Sequence, residues 1–346
     1  MDSEKLFQEI VTRDISDMHL CVGLPPMIRR PTEMQPLTDI ALQDADIRKI
    51  LLDIMPEERL SSIDKGKEID MGINIGNFAR FRINIYKDRK GICAAFRLVP
   101  QRIKPLDSLG LPAAVKNVCN LQRGLVLVTG PTGSGKSTTL ASIINKINLE
   151  RSAHIITLED PIEYLHEHKR CIINQREVGS ETKSFSSGLR AALREDPDII
   201  LVGEMRDLDT ISNAVTAAET GHLVFATLHT RNASQSVSRI IDVFPAEQQA
   251  QIRVQFAEAV AVVVSQTLIP SRDGSSNHLA TEVMVNNTAI RNLIRESKTF
   301  QIKNIIESCG KEGMQTMDQS LNFLMKSNKI DQRTARKYAF EKHAFA

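Results

Sequence analysis

The nine residues Gly130-Pro-Thr-Gly-Ser-Gly-Lys-Ser-Thr138 constrain this chain more than any others. They follow the apolar run 125–128 and lead into the helical pattern 139–147, so G-x-x-x-x-G-K-[ST] stands in the strand, loop and helix order that gives it meaning. Gly130, Gly133 and Gly135 let backbone N–H groups wrap a phosphate chain, with Pro131, Thr132 and Ser134 completing the loop. Lys136 reaches the outer phosphate oxygens, Ser137 is placed to ligate Mg²⁺, and Thr138 enters a helix whose N-terminus favours negative charge. Nucleotide binding follows from this loop, and a strand feeding such a helix belongs to a parallel α/β sheet.

The sheet draws its other strands from the runs 154–158, 198–202, 223–228 and 279–283, beside 124–129. Ile211, Val215 and Ala218 share one helical face, and Ile252, Phe256, Ala259 and Val263 predict another helix. After about residue 287 the period is helical throughout: Ile290, Leu293 and Ile294, then Ile302, Ile305 and Ile306, then Leu321, Leu324 and Met325. Earlier, Met71, Ile73 and Ile75, then Phe81, Ile83 and Ile85, recur every second residue, as half-buried antiparallel strands require. Arg80, Arg82 and Asn84 then share the opposite face. Three prolines and a glycine over 100–112 disfavour helix and ladder alike. The expected order is an N-terminal domain over 1–100, a linker over 101–113, a phosphate-binding core over 114–286 and a helical subdomain over 287–346.

Acidic and basic candidates cluster at the strand ends. The strand 198–202 runs to Glu204, the natural metal-side acid, while Asp196 and Asp198 lie at its other end. Thr157-Leu-Glu-Asp-Pro-Ile-Glu163 places Glu159, Asp160 and Glu163 after the strand 154–158, on the sheet edge where ligands bind. One of these carboxylates orients or deprotonates an attacking water. His222 and His229 flank the strand 223–228, and their spacing of seven is not the i, i+4 spacing of a helical zinc pair. Phosphoryl transfer commonly needs an added guanidinium. Arg80 and Arg82 offer one, and Arg190, Arg194, Arg206 and Arg239 are further candidates.

Composition excludes several classes. The 346 residues make about two domains, and 44 Lys and Arg against 42 Asp and Glu leave no strong single-sign field. Cys21, Cys93, Cys119, Cys171 and Cys309 stand singly without a C-x-x-C pair, so neither a disulfide framework nor a cysteine zinc site is expected, and a reducing compartment fits. The N-terminus lacks an apolar leader, and the most apolar stretch, 257–268, is too short to span a bilayer, so a cytoplasmic chain without direct membrane insertion is expected.

Four segments together are similar to the Walker A, Asp box, Walker B and His box of the secretion-superfamily ATPases: 130–138, Thr157-Leu-Glu-Asp-Pro-Ile-Glu-Tyr164, Ile200-Leu-Val-Gly-Glu-Met-Arg-Asp207 and Gly221-His-Leu-Val-Phe-Ala-Thr-Leu-His-Thr230. Ser16-Asp-Met-His-Leu20, Gly23-Leu-Pro-Pro-Met27, Arg239-Ile-Ile-Asp-Val-Phe-Pro245 and Ala289-Ile-Arg-Asn-Leu-Ile-Arg-Glu296 narrow the likeness to the retraction motors of bacterial type IV pili. It runs from about residue 3 to about 328. The resemblance implies an α/β chain in which a PAS-like α+β N-terminal domain accompanies a RecA-like P-loop NTPase domain with a helical C-terminal appendage. It implies a homohexamer that uses ATP and Mg²⁺, docks on an inner-membrane pilus platform protein and works beside an accessory retraction ATPase. It also implies roles: Glu163 as general base, Glu204 with Ser137 on the Mg²⁺ side, His222 and His229 as a relay beside the γ-phosphate, and Arg82 and Arg97, with Arg80 behind them, on the phosphates. Phosphate contacts would close and open a hinge near 100–112.

Extension-type relatives carry a tetracysteine zinc site and a longer N-terminal region, so their absence here favours retraction. The segment Ser271-Arg-Asp-Gly-Ser-Ser-Asn-His278 stands where a glycine-rich turn is expected. Competing readings are an accessory or assembly motor of the same superfamily, a RecA-like nucleic-acid motor and a non-catalytic nucleotide-gated scaffold. Aromatics at 4% without Trp, and no basic stripe interleaved with stacking residues, weigh against nucleic acid. Lys136, Glu163 and Glu204 together weigh against a scaffold.

Overall fold

A computed structural model describes residues 3–13, 15–30, 33–76, 79–100 and 102–345. Met1 and Asp2 of the expected N-terminal domain and Gln101 of the expected linker lie outside the described residues. The chain divides into two units, one made of 1–102 with 160–165 and the other of 103–159 with 166–346.

The first unit is built on a six-stranded antiparallel sheet: β1 (Asp17–Leu20), β2 (Met27–Arg30), β3 (Glu33–Pro36), β4 (Ile69–Ile75), β5 (Ala79–Lys87) and β6 (Ile92–Leu98), in the order β3-β2-β1-β6-β5-β4. Alternation sets its two faces. Phe81, Ile83 and Ile85 of β5 are fully buried, and with Phe96 they receive Phe7 of α1 (Ser3–Thr12), whose ring centroid lies 5.3 Å from Phe81 and 5.1 Å from Phe96. Met71 and Ile73 are only half-buried, because β4 is an edge strand. Helices α2 (Asp44–Leu52) and α3 (Glu57–Asp64) add Ile47, Ile50, Leu51, Leu60 and Ile63 to the same core. On the other face the register sets Arg82 opposite Arg97 and Arg97 opposite Asp17.

The second unit carries seven strands: β7 (Gly124–Thr129), β8 (His154–Glu159), β9 (Ile172–Glu177), β10 (Ile199–Val202), β11 (Leu223–Leu228), β12 (Val260–Pro270) and β13 (Asn277–Val285). Their order is β13-β12-β7-β11-β10-β8-β9, with every pair from β12 to β9 parallel and β12–β13 antiparallel. A parallel sheet is buried on both faces, and β7 shows it residue by residue. Leu125 and Leu127 enter one core and Val126 and Val128 the other. The short helix α4 (Ala113–Asn117) and α5 (Lys136–Glu150) cover the Val126 side through Val115, Ile143, Ile144 and Ile147. Helices α6 (Phe185–Ala192), α7 (Leu208–Glu219), α8 (Ala233–Asp242) and α9 (Ala246–Ala259) cover the Leu125 side, where Ile211, Val215, Ile240 and Phe256 are buried.

One expectation gives way. Val263 does not continue a helix: α9 stops at Ala259, Val260 is extended, and the continuous apolar run that follows is β12, a buried parallel neighbour of β7. Within the expected linker, Leu106–Leu109 forms a 3-10 turn, and both Leu106 and Leu111 are buried with the Ile143 core. From Asn287 onward the chain is helical, with α10 (Thr288–Arg295), α11 (Ile302–Ser308), α12 (Met317–Lys326) and α13 (Gln332–Tyr338). Met317, Leu321 and Leu324 pack on Ile269 and Ala280 of the β12–β13 hairpin. Its turn is held by Asp273, which accepts from the Ser275 N–H at 3.1 Å and hydroxyl at 2.8 Å. Among the described residues no helix is long and apolar enough to cross a membrane.

Candidate functional site

The C-terminal ends of β7, β8, β10 and β11 line one edge of the parallel sheet, where open α/β sheets bind ligands. The phosphate loop leaves β7 here and enters α5 at Lys136, with Gly135 left-handed at φ +88° as the cap. Gly130, at φ +143°, tolerates no side chain: a Cβ there would lie 2.3 Å from the Gln266 carbonyl oxygen and 2.6 Å from Ser134 Oγ. Lys136 folds back and donates to the carbonyls of Gly130 and Pro131 at 2.9 and 3.1 Å. Ser134 Oγ is buried and has no hydrogen-bond partner among the described residues.

Glu204 follows β10 at the same edge. Its carboxylate sits 2.7 Å from Arg206 Nη2 and 3.3 Å from His229 Nε2, so the acid after β10 and the histidine after β11 meet. Burial pushes the Glu204 carboxyl up, but the Arg206 hydrogen bond and charge, with His229, outweigh it and hold the group below the ordinary glutamate value. The strand ends are stitched together by backbone polar groups. Gly203 N–H donates to Leu158 O at 2.7 Å, Met205 N–H to Thr227 O at 3.1 Å, and Thr227 Oγ1 to Gly203 O.

The three acids of the Asp box part company. Glu159 ends β8, and one of its oxygens accepts from Thr157 Oγ1 at 2.7 Å and Gln175 Nε2 at 3.1 Å. Asp160 and Glu163 belong to the segment that groups with the first unit. In that unit Arg82 donates to Asp70 at 3.0 and 2.7 Å, and the charges of Asp70, Glu163 and Asp160 raise the guanidinium's affinity for its proton against its own burial. Arg97 pairs with Asp17 at 2.8 Å, and Arg80 donates to Asn74 at 3.1 Å. Arg82 and Arg97 thus present two guanidinium groups from directly opposed positions.

His222 is not brought to this cluster. It precedes β11, its carbonyl accepts from the N–H of Gly124 at the start of β7, and its Nδ1 lies 3.0 Å from Ala217 O. Six strand residues separate it from His229, about 20 Å at a strand's rise. That opposite edge carries a cavity of about 490 Å³ lined in part by Arg123, Gly124, Glu219, Glu258 and Arg291. Of the other arginines, Arg190 donates to Ser186 at 3.2 Å, Arg239 stands in the last turn of α8, and Arg206 reaches Glu204.

Sequence reasoning missed the floor of the loop. Thr129 Oγ1 donates to Ser265 Oγ at 2.8 Å and Gln266 Nε2 to Thr139 Oγ1 at 3.0 Å, from adjacent buried positions of β12. The available signal is the three polar residues Ser265, Gln266 and Thr267 breaking the apolar run 260–269. For a metal, the loop offers the Ser137 hydroxyl with the Glu204 carboxylate, and among the described residues no group of three or more His, Cys, Asp and Glu could hold an ion alone. Such an oxygen set fits Mg²⁺, which keeps waters and takes its remaining ligands from phosphate, and does not fit zinc.

The chain is 45% identical over 98% of both chains to the type IV pilus retraction ATPase PilT of Pseudomonas aeruginosa, and 36% identical over 98% of its length, and 89% of the relative's, to the type IV pilus ATPase PilU of the same organism. A crystal structure of the pilus retraction motor PilT with bound ADP superposes with a TM-score of 0.92 at 44% identity, covering 99% of this chain and 98% of that one. The family model for Type II/IV secretion system proteins matches residues 5–341, and the chain belongs to that family.

Proposed function

We propose that this chain is an ATP-hydrolysing motor that powers type IV pilus retraction and twitching motility. The likeness to a retraction ATPase across 98% of both chains carries the reading; the intact loop and its Glu204–His229 contact support it. Retraction by the principal motor is favoured over an accessory role because identity to PilT exceeds that to PilU, 45% against 36%.

The loop N–H groups and Lys136 bind the phosphates, and Ser137 with Glu204 holds the Mg²⁺ side. Bound Mg²⁺ would neutralise charge on the phosphate oxygens. Glu163 acts as general base on the attacking water, and His229, through Glu204, senses the state of the γ-phosphate. We assign that relay to His229 alone, since His222 lies at the far end of the same strand. Arg82 and Arg97 are offered to the phosphates of a neighbouring copy in a homohexameric ring. The ring docks on an inner-membrane pilus platform protein at the cytoplasmic face, with an accessory ATPase as a further partner.

The test is fluorescence imaging of pili in the host after deletion of the gene. Pili should extend without retracting, wild-type chain should restore retraction, and Lys136→Ala should not. Unaltered retraction in the deletion strain, or rescue by Lys136→Ala, would overturn the reading.

A further inference from the structure

One residue on a neighbouring strand crowds the start of the phosphate loop and hydrogen-bonds one turn into the helix that follows it. Gln266 of β12 is 1% exposed. Its backbone carbonyl oxygen fills the space where a Gly130 Cβ would be, its Nε2 lies 3.9 Å from where a Gly135 Cβ would be, and the same Nε2 donates to Thr139 Oγ1 at 3.0 Å. Thr139 stands three residues after Lys136, and its N–H makes the opening helical bond of α5 to Gly135 O at 3.0 Å. A bond from a fixed strand to that hydroxyl therefore locks the rotation of the first helical turn about its axis. This turn presents the N–H groups and Lys136 to an anion.

We propose that Gln266 is a positioning residue for nucleotide binding, holding the phosphate loop and the first turn of α5 in register through the Thr139 hydroxyl. Gln266 Oε1 and Ser134 Oγ are both buried without a hydrogen-bond partner among the described residues. Buried polar atoms are ordinarily paired, and a packing role alone would be served by leucine at this site. Glutamine supplies here a donor that leucine would lack. Gln266 also stands directly opposite Thr281 of β13, which Gln315 engages from the segment before α12 at 2.9 Å, so the strand behind the loop is itself pinned.

This inference rests on the nucleotide-binding part of the proposed function, and the experiment separates the two. Binding of a fluorescent ADP analogue, KM and kcat for ATP, and nucleotide-free melting temperature would be measured for wild type, Gln266→Leu, Thr139→Val, Thr139→Ser and the Leu/Val double variant. Gln266→Leu and Thr139→Val should each weaken ADP binding and raise KM about 3- to 10-fold, the worth of one hydrogen bond. The double variant should be no worse than either single one, and Thr139→Ser should restore binding. The proposal is overturned if ADP affinity and KM stay at the wild-type level while only the melting temperature falls, or if the two losses add. Wild type that binds ADP without turning over ATP would sink the ATPase reading alone, because the ADP arm still tests Gln266.

Discussion

Glu282 lies buried on β13 where two helices begin. Its Oε1 accepts from the Ala233 N–H at the start of α8 at 2.8 Å, and the carboxylate also bonds the Met317 N–H at the start of α12. Helix N-termini leave such donors orphaned unless something accepts from them. Glu282→Ala strands both and should cost about 2–4 kcal/mol in urea unfolding, while Glu282→Gln, keeping one acceptor oxygen, should cost less. Burial dominates its titration and raises its pKa against these two bonds. A raised carboxyl contributes stability that is full below its unfolded value and is lost as pH rises through the folded one. The advantage of wild type over Glu282→Gln should therefore shrink as pH climbs from about 4 toward neutrality. Gly130 is a residue of another kind. Gly130→Ala places a methyl group 2.3 Å from a backbone oxygen that cannot step aside, so nucleotide affinity should fall about 10-fold or more, read by ADP titration, with the sheet intact.

At the scale of elements, β7 and β11 were legible to the residue because each is a mostly apolar run bounded by glycine or by polar residues. The strand β12 was not, for Ile252, Phe256, Ala259 and Val263 keep helical spacing across the point where the chain becomes extended, and a short continuous apolar run has no period of its own. Edge strand β9, sequence IINQRE, has only two apolar residues and no alternation to mark it. Within the site, the loop and Glu204 stand out in the sequence by their spacing, whereas Gln266, between Ser265 and Thr267, and Glu282, after Thr281, are polar residues whose burial only the tertiary fold creates. The histidines show the opposite failure: both flank one strand, and a strand separates its ends by its length. Helix α10 has Ile290 and Ile294 buried, Arg291 part-buried beside the cavity and Arg295 exposed, with Arg295 paired to Glu258. Ile290→Ala should cost about 2–5 kcal/mol. Arg291→Ala and Arg295→Ala should stay within about 0.5 kcal/mol of wild type, yet cut pilus retraction if this face couples the motor to its load; wild-type retraction in both would confine α10 to packing.

At the scale of the whole molecule, the proposed ring makes each site the work of two copies. Arg82 forms a half-exposed ion pair with Asp70, and the exposed Arg97 pairs with the more buried Asp17; surface pairs are worth about 0–1 kcal/mol, so alanine at Arg82 or Arg97 should largely spare folding while lowering turnover. Mixing Arg82→Ala with Lys136→Ala copies should then give more activity than either variant alone, since some interfaces recover an intact arginine facing an intact loop. No gain on mixing would restrict Arg82 to its own chain. The most direct measurement is steady-state phosphate release by purified wild type, Lys136→Ala and Glu204→Ala, with Mg²⁺ and after its removal by EDTA. We expect turnover by wild type with Mg²⁺ alone, a loss of about 100-fold or more in both variants, and none after EDTA. Absence of turnover by folded wild type with Mg²⁺, or turnover that survives Lys136→Ala, would contradict an ATP-driven motor.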